Sequence, residues 1–230
     1  MMDAPTPPRA DRLQAHHGGR HRFRTSQKLV AEPFGLERDS LPRPLDWIAL
    51  FGNDASVEME IGIGRGAFLT EQARARPHVN FVGVEWSRPF WRFASDRLRR
   101  HECVNARCVH GEALSILREW VQASSLRAIH LYFPDPWPKK RHHKRRLVQA
   151  PFIAEVERVL VPRGRLQVLT DHREYFEQIE GVLSGSALVR ADFESESPAD
   201  RGELVGTNFE RKYRRQGRAF YAVAAVRPAS

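Results

Sequence analysis

The sequence predicts an α/β fold: a mostly parallel seven-stranded sheet with helices on both faces. Three observations predict it. From about residue 57 onward, apolar runs of strand length alternate with amphipathic runs of helix length, joined by short connections. The first strand ends in a glycine turn that leads directly into a helix. Five successive strands end at or just before a carboxylate, so one edge of the sheet becomes a polar cleft, the edge at which such folds bind ligands.

Taken in order, 57–61 reads as a strand closed by glycines at 62, 64 and 66, and 67–75 as a helix. A second strand at 81–84 precedes a helix over about 88–100. A third strand at 104–109 leads to a helix over about 112–121. A fourth strand at 128–133 enters a loop rich in proline and lysine. A helix over about 148–160, a strand at 166–170 and a helix over about 173–183 follow. Two late strands, 187–193 and 219–226, flank an insert at 194–218. No internal repeat is visible. Residues 1–40, rich in Pro, Arg, His and Gly and without periodicity, read as a largely disordered basic arm before a domain at 41–230.

Composition narrows the class. With 41% hydrophobic and 10% aromatic residues the chain is not disordered throughout. Two cysteines, Cys103 and Cys108, build neither a disulfide framework nor a four-cysteine zinc site. No apolar run approaches the roughly 18 residues of a membrane span, and the first thirty residues have no apolar signal core. These features predict a soluble cytoplasmic protein without membrane partner or structural metal; they leave the oligomeric state open.

The net charge of +9 is segregated. Residues 139–146 carry six Lys/Arg and no acid, for +6; residues 1–28 and 207–218 carry +4 each; the remainder is −5. A mildly acidic body with three basic patches is the footprint of a polyanion partner, most simply nucleic acid. A nuclear-import signal, an anionic membrane surface or a solvated face are the blander readings of such runs.

The strand ends carry Glu60, Glu85, Glu112, Asp135 and Asp171. The turn Glu60-Ile-Gly-Ile-Gly-Arg-Gly-Ala67 also satisfies the dinucleotide fingerprint, with Glu85 about the right distance on for ribose hydroxyls, so a nicotinamide-dependent oxidoreductase is one reading. Glu60 argues for another, because a carboxylate beside the glycines suits a cationic amino group better than a pyrophosphate. S-adenosylmethionine has an ammonium, a ribose and an adenine but no phosphate. The glycine turn and the acid after strand two mark the class I methyltransferase fold. A non-catalytic RNA binder on that scaffold is a third reading; such a binder has no need of Glu60, Gly62, Gly64, Glu85 and Asp135.

The most specific segment is Tyr132-Phe-Pro-Asp-Pro-Trp-Pro-Lys-Lys-Arg-His-His-Lys-Arg-Arg-Leu-Val-Gln149. An acid followed by proline and an aromatic, after strand four, is where N-methyltransferases of this fold hold the target nitrogen. With Glu60-Ile-Gly-x-Gly, Phe81-Val-Gly-Val-Glu85, Thr170-Asp171 and Thr207-Asn-Phe-Glu210, it closely resembles the tRNA (guanine-N(7)-)-methyltransferase family from about Val57 to Gly217. The resemblance implies methyl transfer from S-adenosylmethionine to N7 of a guanine in the variable loop of tRNA. It implies Glu60, Gly62, Gly64, Glu85, Glu112 and Asp135 as cofactor residues, with Asp135 also catalytic. Lys139, Asp171, Thr207, Asn208, Phe209 and Glu210 fall on substrate-binding positions. Arg141, His142, His143, Lys144, Arg145 and Arg146 fall on the RNA-contacting stretch. Three departures stand out: Glu112 replaces the usual Asp, Pro138 stands where His is frequent, and Arg218-Ala-Phe-Tyr221 replaces the usual Gly/His/Trp-containing ending.

Other residues carry plainer expectations. Trp47, Trp86, Trp91 and Trp120 read as packing aromatics. His142 and His143 read as phosphate contacts rather than metal ligands, since no further ligand lies at metal spacing. Neither cysteine is placed as a nucleophile.

Overall fold

The strand Val57–Ile61 lies in the middle of an eight-stranded sheet, and the chain winds outward from it in both directions. The structure, a computed structural model, describes residues 29–195 and 202–229. In chain order the strands are β1 (Gly35–Glu37), β2 (Val57–Ile61), β3 (Asn80–Glu85), β4 (Ala106–His110), β5 (Leu126–Tyr132), β6 (Leu160–Thr170), β7 (Val189–Ala191) and β8 (Tyr221–Val226). The helices are α1 (Trp47–Phe51), α2 (Ala67–Ala75), α3 (Arg88–Arg100), α4 (Ala113–Trp120), α5 (Ala150–Val159), α6 (Arg173–Ser184) and α7 (Asn208–Arg215). Across the sheet the order is β1-β4-β3-β2-β5-β6-β8-β7, and only β8 runs against its neighbours. The order reverses between β2 and β5, which places the ligand crevice at their carboxyl ends.

Local chemistry accounts for the elements. Asp46 caps α1, accepting from the amides of Ile48 and Ala49, and Gly52 ends it at φ 74°. Pro89 and Pro151 sit in the first turns of α3 and α5, where a missing N–H costs nothing. Leu69 and Ala73 of α2 pack with Trp91, Ala94 and Leu98 of α3 over one face of the sheet. Ile116, Phe152, Val156, Tyr175 and Ile179 of α4, α5 and α6 cover the other.

The structure departs from the sequence reading at three places. The sheet has eight strands, not seven: β1, inside the segment assigned to the arm, pairs in parallel with β4. Gly35 fits there because it lies against Trp91 and Ser95, with no room for a side chain. The folded domain therefore begins before residue 41; the rest of the arm, 1–28, lies outside the described residues. The insert at 194–218 contains α7, whose eight residues bury only Glu210 and so carry no apolar stripe. Its signal was a capping box, Thr207-x-x-Glu210, and the Thr207 hydroxyl does accept from the Glu210 amide at 3.0 Å.

A strand covered on both faces is normally apolar throughout, yet β2 carries Glu58 and Glu60 on one face, both buried. Glu58 is satisfied. Arg76 clasps it with two bonds of 3.0 and 2.9 Å, and His130 Nε2 lies 3.0 Å from Oε2. The other ring nitrogen of His130 lies 2.9 Å from the Tyr132 hydroxyl. Burial alone would raise the Glu58 carboxyl; His130 and Arg76 outweigh it and hold it down at about 2.

Because the folded value lies below the ordinary 4.5, this carboxylate stabilises the fold above that pH, and the contribution fades as pH falls from 4.5 to about 2. The drop corresponds to about 3 kcal/mol. Glu58→Ala, which strands Arg76 and His130, is expected to cost about 3–5 kcal/mol in urea unfolding at pH 7 and to flatten stability over that acid window. An unchanged midpoint would show that the cluster contributes nothing.

Candidate active site

The glycine turn after β2 forms one wall. Gly62 and Gly64 have φ of 76° and 52°, conformations that favour glycine, and the Gly62 amide donates to the Val84 carbonyl at 2.8 Å. Glu85 locks the turn to the next strand end. Its carboxylate accepts from the amides of Gly64 at 2.9 Å and Ser87 at 2.7 Å. Glu60 stands beneath, only 4% exposed, with Oε2 buried and without a hydrogen-bond partner. Burial raises its carboxyl to about 8; the Leu69 amide works against this and the Glu85 charge with it. An orphaned buried carboxylate oxygen beside a glycine cradle suits a ligand bearing a cationic amino group.

Glu112 has a defined local task. It caps α4, its two oxygens accepting from the amides of Leu114 at 2.9 Å and Ser115 at 2.8 Å. The preceding Gly111 amide donates to the Glu85 carbonyl, which draws the ends of β3 and β4 together. Trp91 and Trp120 are buried and Trp47 packs on the core, but Trp86 does not pack: it is 55% exposed beside Glu85. Its position just after an acidic strand end was the available signal.

The opposite wall is the loop after β5. Phe133 leaves the strand at φ 53° and Trp137 turns the loop at φ 43°, left-handed conformations that cost energy for side chains of this size. Asp135 lies between them, exposed, flanked by Pro134 and Pro136. The basic run then coils as a 3₁₀ turn, Lys140–Arg145, with Lys139 at its start. The edge of His142 meets Trp137 at 5.8 Å, and the Arg145 guanidinium lies 5.0 Å over the same ring. Lys139, Arg141, Lys144 and Arg145 are exposed, and His143 lies 3.3 Å from Glu174.

Arg146 corrects the sequence reading, which grouped it with the RNA contacts. It is 2% exposed. Its guanidinium donates to the Pro136 carbonyl at 2.7 Å, to Gln178 Oε1 at 2.6 Å and to Glu174 at 3.3 Å, and lies 4.9 Å over the Tyr175 ring. It is a strut between the loop and α6, not a surface cation.

α7 closes the cleft from above. Phe209 sits over Gly64 and within 6.4 Å of the Phe133 ring, so the helix spans both walls. Asn208 is exposed, and Thr207 serves as the helix cap. Glu210 is fully buried: its carboxylate accepts from the amides of Leu204, Val205 and Gly206 and from Arg214. The structure gives it the task of shaping the 204–206 loop, with no face left for a substrate. Asp171, after β6, pairs with Arg218, whose guanidinium lies 4.2 Å over Tyr213. The Tyr213 hydroxyl is raised by burial and by the charges of Asp171 and Asp135, with Arg218 working against them. Among the described residues no cluster of three or more His, Cys, Asp or Glu is arranged for a metal. Cys103 and Cys108 are buried, with both thiols pushed up by burial, which removes them from nucleophilic chemistry.

This sheet and cleft define the class I methyltransferase fold. A 30S ribosomal A1408 methyltransferase from an uncultured bacterium superposes with a TM-score of 0.55 at 13% identity, over 77% of this chain and 90% of that one. A SAM-dependent methyltransferase from Aquifex aeolicus gives 0.53 at 12%, over 78% and 86%. In sequence, a family model described as "Putative methyltransferase" matches residues 54–223. tRNA (guanine-N(7)-)-methyltransferases from Geobacillus thermodenitrificans and Alkalilimnicola ehrlichii are 36% and 37% identical, over 87% and 83% of this chain and 93% and 80% of theirs. The one from Bordetella parapertussis is 42% identical over 157 residues, and there the match spans only 62% of the relative's length. The chain belongs to the tRNA (guanine-N(7)-)-methyltransferase family.

The strut role of Arg146 has a direct consequence. Arg146→Ala is expected to cost about 2–4 kcal/mol and to speed tryptic cutting within 139–145 at least tenfold, while Arg141→Ala and Lys144→Ala stay within about 0.5 kcal/mol of the parent. Equal stability of all three variants would return Arg146 to the surface set.

Proposed function

We propose that the chain transfers a methyl group from S-adenosylmethionine to N7 of a guanine in the variable loop of tRNA. The observation that carries this reading is the 133–146 loop: one continuous segment sets Asp135 at the mouth of the carboxylate cleft and then presents exposed cations from Lys139 to Arg145. When bound, S-adenosylmethionine supplies an electrophilic methyl group on a sulfonium. Glu60 would hold its ammonium, the turn at Gly62 and Gly64 its amino-acid end, and Glu85 the ribose hydroxyls. The N-cap of α4 at Glu112 would border the adenine, beside the exposed ring of Trp86.

Guanine N7 has a lone pair and no proton, so the chain needs no strong general base; it must orient the base in line. Orientation of this kind is worth several kcal/mol. Asp135 would orient the base and counter the positive charge that develops on it, with Asp171 sharing the task. The buried, fully bonded Glu210 holds the roof in place. The exposed cations at 139–145 would grip phosphates and help offset the roughly few kcal/mol needed to expose a stacked base. This work would be done in the cytoplasm; no helix among the described residues is long and apolar enough to cross a membrane.

Purified protein, labelled S-adenosylmethionine and unmodified tRNA transcripts test the reading, with N7-methylguanine mapped by borohydride–aniline cleavage. A single cut in the variable loop, lost in Asp135→Ala, is expected; no label transfer would overturn it. Glu60 adds a second expectation. With its carboxyl at about 8, it is mostly protonated at pH 7 before a cation arrives and ionised afterwards. Calorimetry in buffers of different ionisation enthalpy should therefore register close to one proton released per cofactor bound, and none in Glu60→Gln.

A further inference from the structure

We propose that Arg218 is a built-in stand-in for the guanine base, held in the base-reading subsite formed by Asp171 and Tyr213 and displaced when the target nucleotide enters. The inference rests on the proposed methylation of guanine and assigns one part of that site.

The contacts of Arg218 are those a guanine would make. Its Nη1 donates to Asp171 Oδ2, and its Cζ lies 4.2 Å over the centroid of the Tyr213 ring. The Watson–Crick edge of guanine offers N1–H and the exocyclic amine as a planar pair of donors, and a guanidinium offers the same fork. A carboxylate accepts either pair, and an aromatic face takes either a cation or a base. Asp171 is 13% exposed and Arg218 46%, so the carboxylate is fixed in the wall while the guanidinium sits at the opening.

The backbone supports an occupant that can leave. Gly217, at φ 66°, turns the chain after α7, and the Arg218 amide returns to the Tyr213 carbonyl at 3.1 Å. The peptide stays anchored while the side chain reaches the pocket from outside. The subsite is also adjacent to the chemistry: Tyr213 meets Phe133 edge-on at 5.6 Å, two residues before Asp135. Asp171 and Tyr213 cannot serve Arg218 and a base at once, so the two compete.

The test is steady-state methylation of a tRNA transcript by the parent and Arg218→Ala, across a series of KCl concentrations and with guanosine or adenosine monophosphate as competitor. Removing a competitor held by a half-exposed ion pair is expected to lower KM for tRNA about two- to fivefold and the inhibition constant of guanosine monophosphate by a similar factor. The salt slope and the inhibition by adenosine monophosphate stay as in the parent. A higher KM with a salt slope smaller by about 0.9 would make Arg218 a phosphate contact and overturn the proposal. Unchanged KM and inhibition constants would overturn it too. Absence of methyl transfer by the parent overturns the underlying function and this inference with it, whereas normal transfer by the parent confines any failure to the role given to Arg218.

Discussion

Two carboxylates buried on one face of the central strand set the terms for the rest of the structure. Moving a carboxylate out of water costs several kcal/mol, and a strand covered on both sides offers no water in return. Glu58 and Glu60 meet this constraint in opposite ways. Glu58 is enclosed by Arg76, His130 and, through His130, Tyr132, so its charge is held within the fold. Glu60, one residue pair further along the strand, has an oxygen that nothing bonds and a carboxyl that burial has pushed up to about 8. The first locks β2 to α2 and β5 on either side of the switch point. The second sets at that switch point a carboxyl whose charge a cationic ligand completes.

The 133–146 loop divides its cations in the same manner. A run of six basic residues reads as one surface, but the fold separates them by position. Arg146, the last, is drawn inward to bind the Pro136 carbonyl and lie over Tyr175, and it thereby fixes the segment that carries Asp135. Arg145 and His142 flank Trp137 and hold the strained turn. Lys139, Lys140, Arg141 and Lys144 remain as exposed charge. The prolines, the two left-handed residues and the buried guanidinium together hold Asp135 in place without a helix or strand beneath it.

The elements that carry the site were legible because their signals are local. Strand length, glycines at fixed places and an acid at each strand end set Glu60, Glu85, Asp135 and Asp171 along one edge of the sheet, and the parallel strands of the structure have them there. What escaped depends on partners distant in sequence. β1 has a single large apolar residue, and its place comes from Phe34 and Gly35 meeting Cys108, Trp91 and Ser95. α7 has no apolar stripe, and its burial is that of Glu210 against three backbone amides. Arg146 is indistinguishable from Arg145 by composition; only Gln178 and Glu174 on α6, about thirty residues on, tell them apart. Charge patterning reports what a segment carries, not which of its charges the fold will bury.

The roof formed by α7 is held by charge as well as by the packing of Phe209 and Tyr213 on Phe133, and its response to salt differs from that of the loop below it. Arg211 joins α7 to Glu203 and to Glu71 on α2, and those bonds raise its guanidinium above the ordinary value. Glu210 ties it to the 204–206 loop, and Arg214 closes that pair. These partners are partly or wholly buried, so salt screens them far less than it screens Lys139 or Arg141. Ionic strength therefore separates two functions that share one chemistry. It weakens the long-range attraction of a polyanion to the exposed loop while the roof over the glycine turn, with Phe209 and Tyr213 on it, keeps its place.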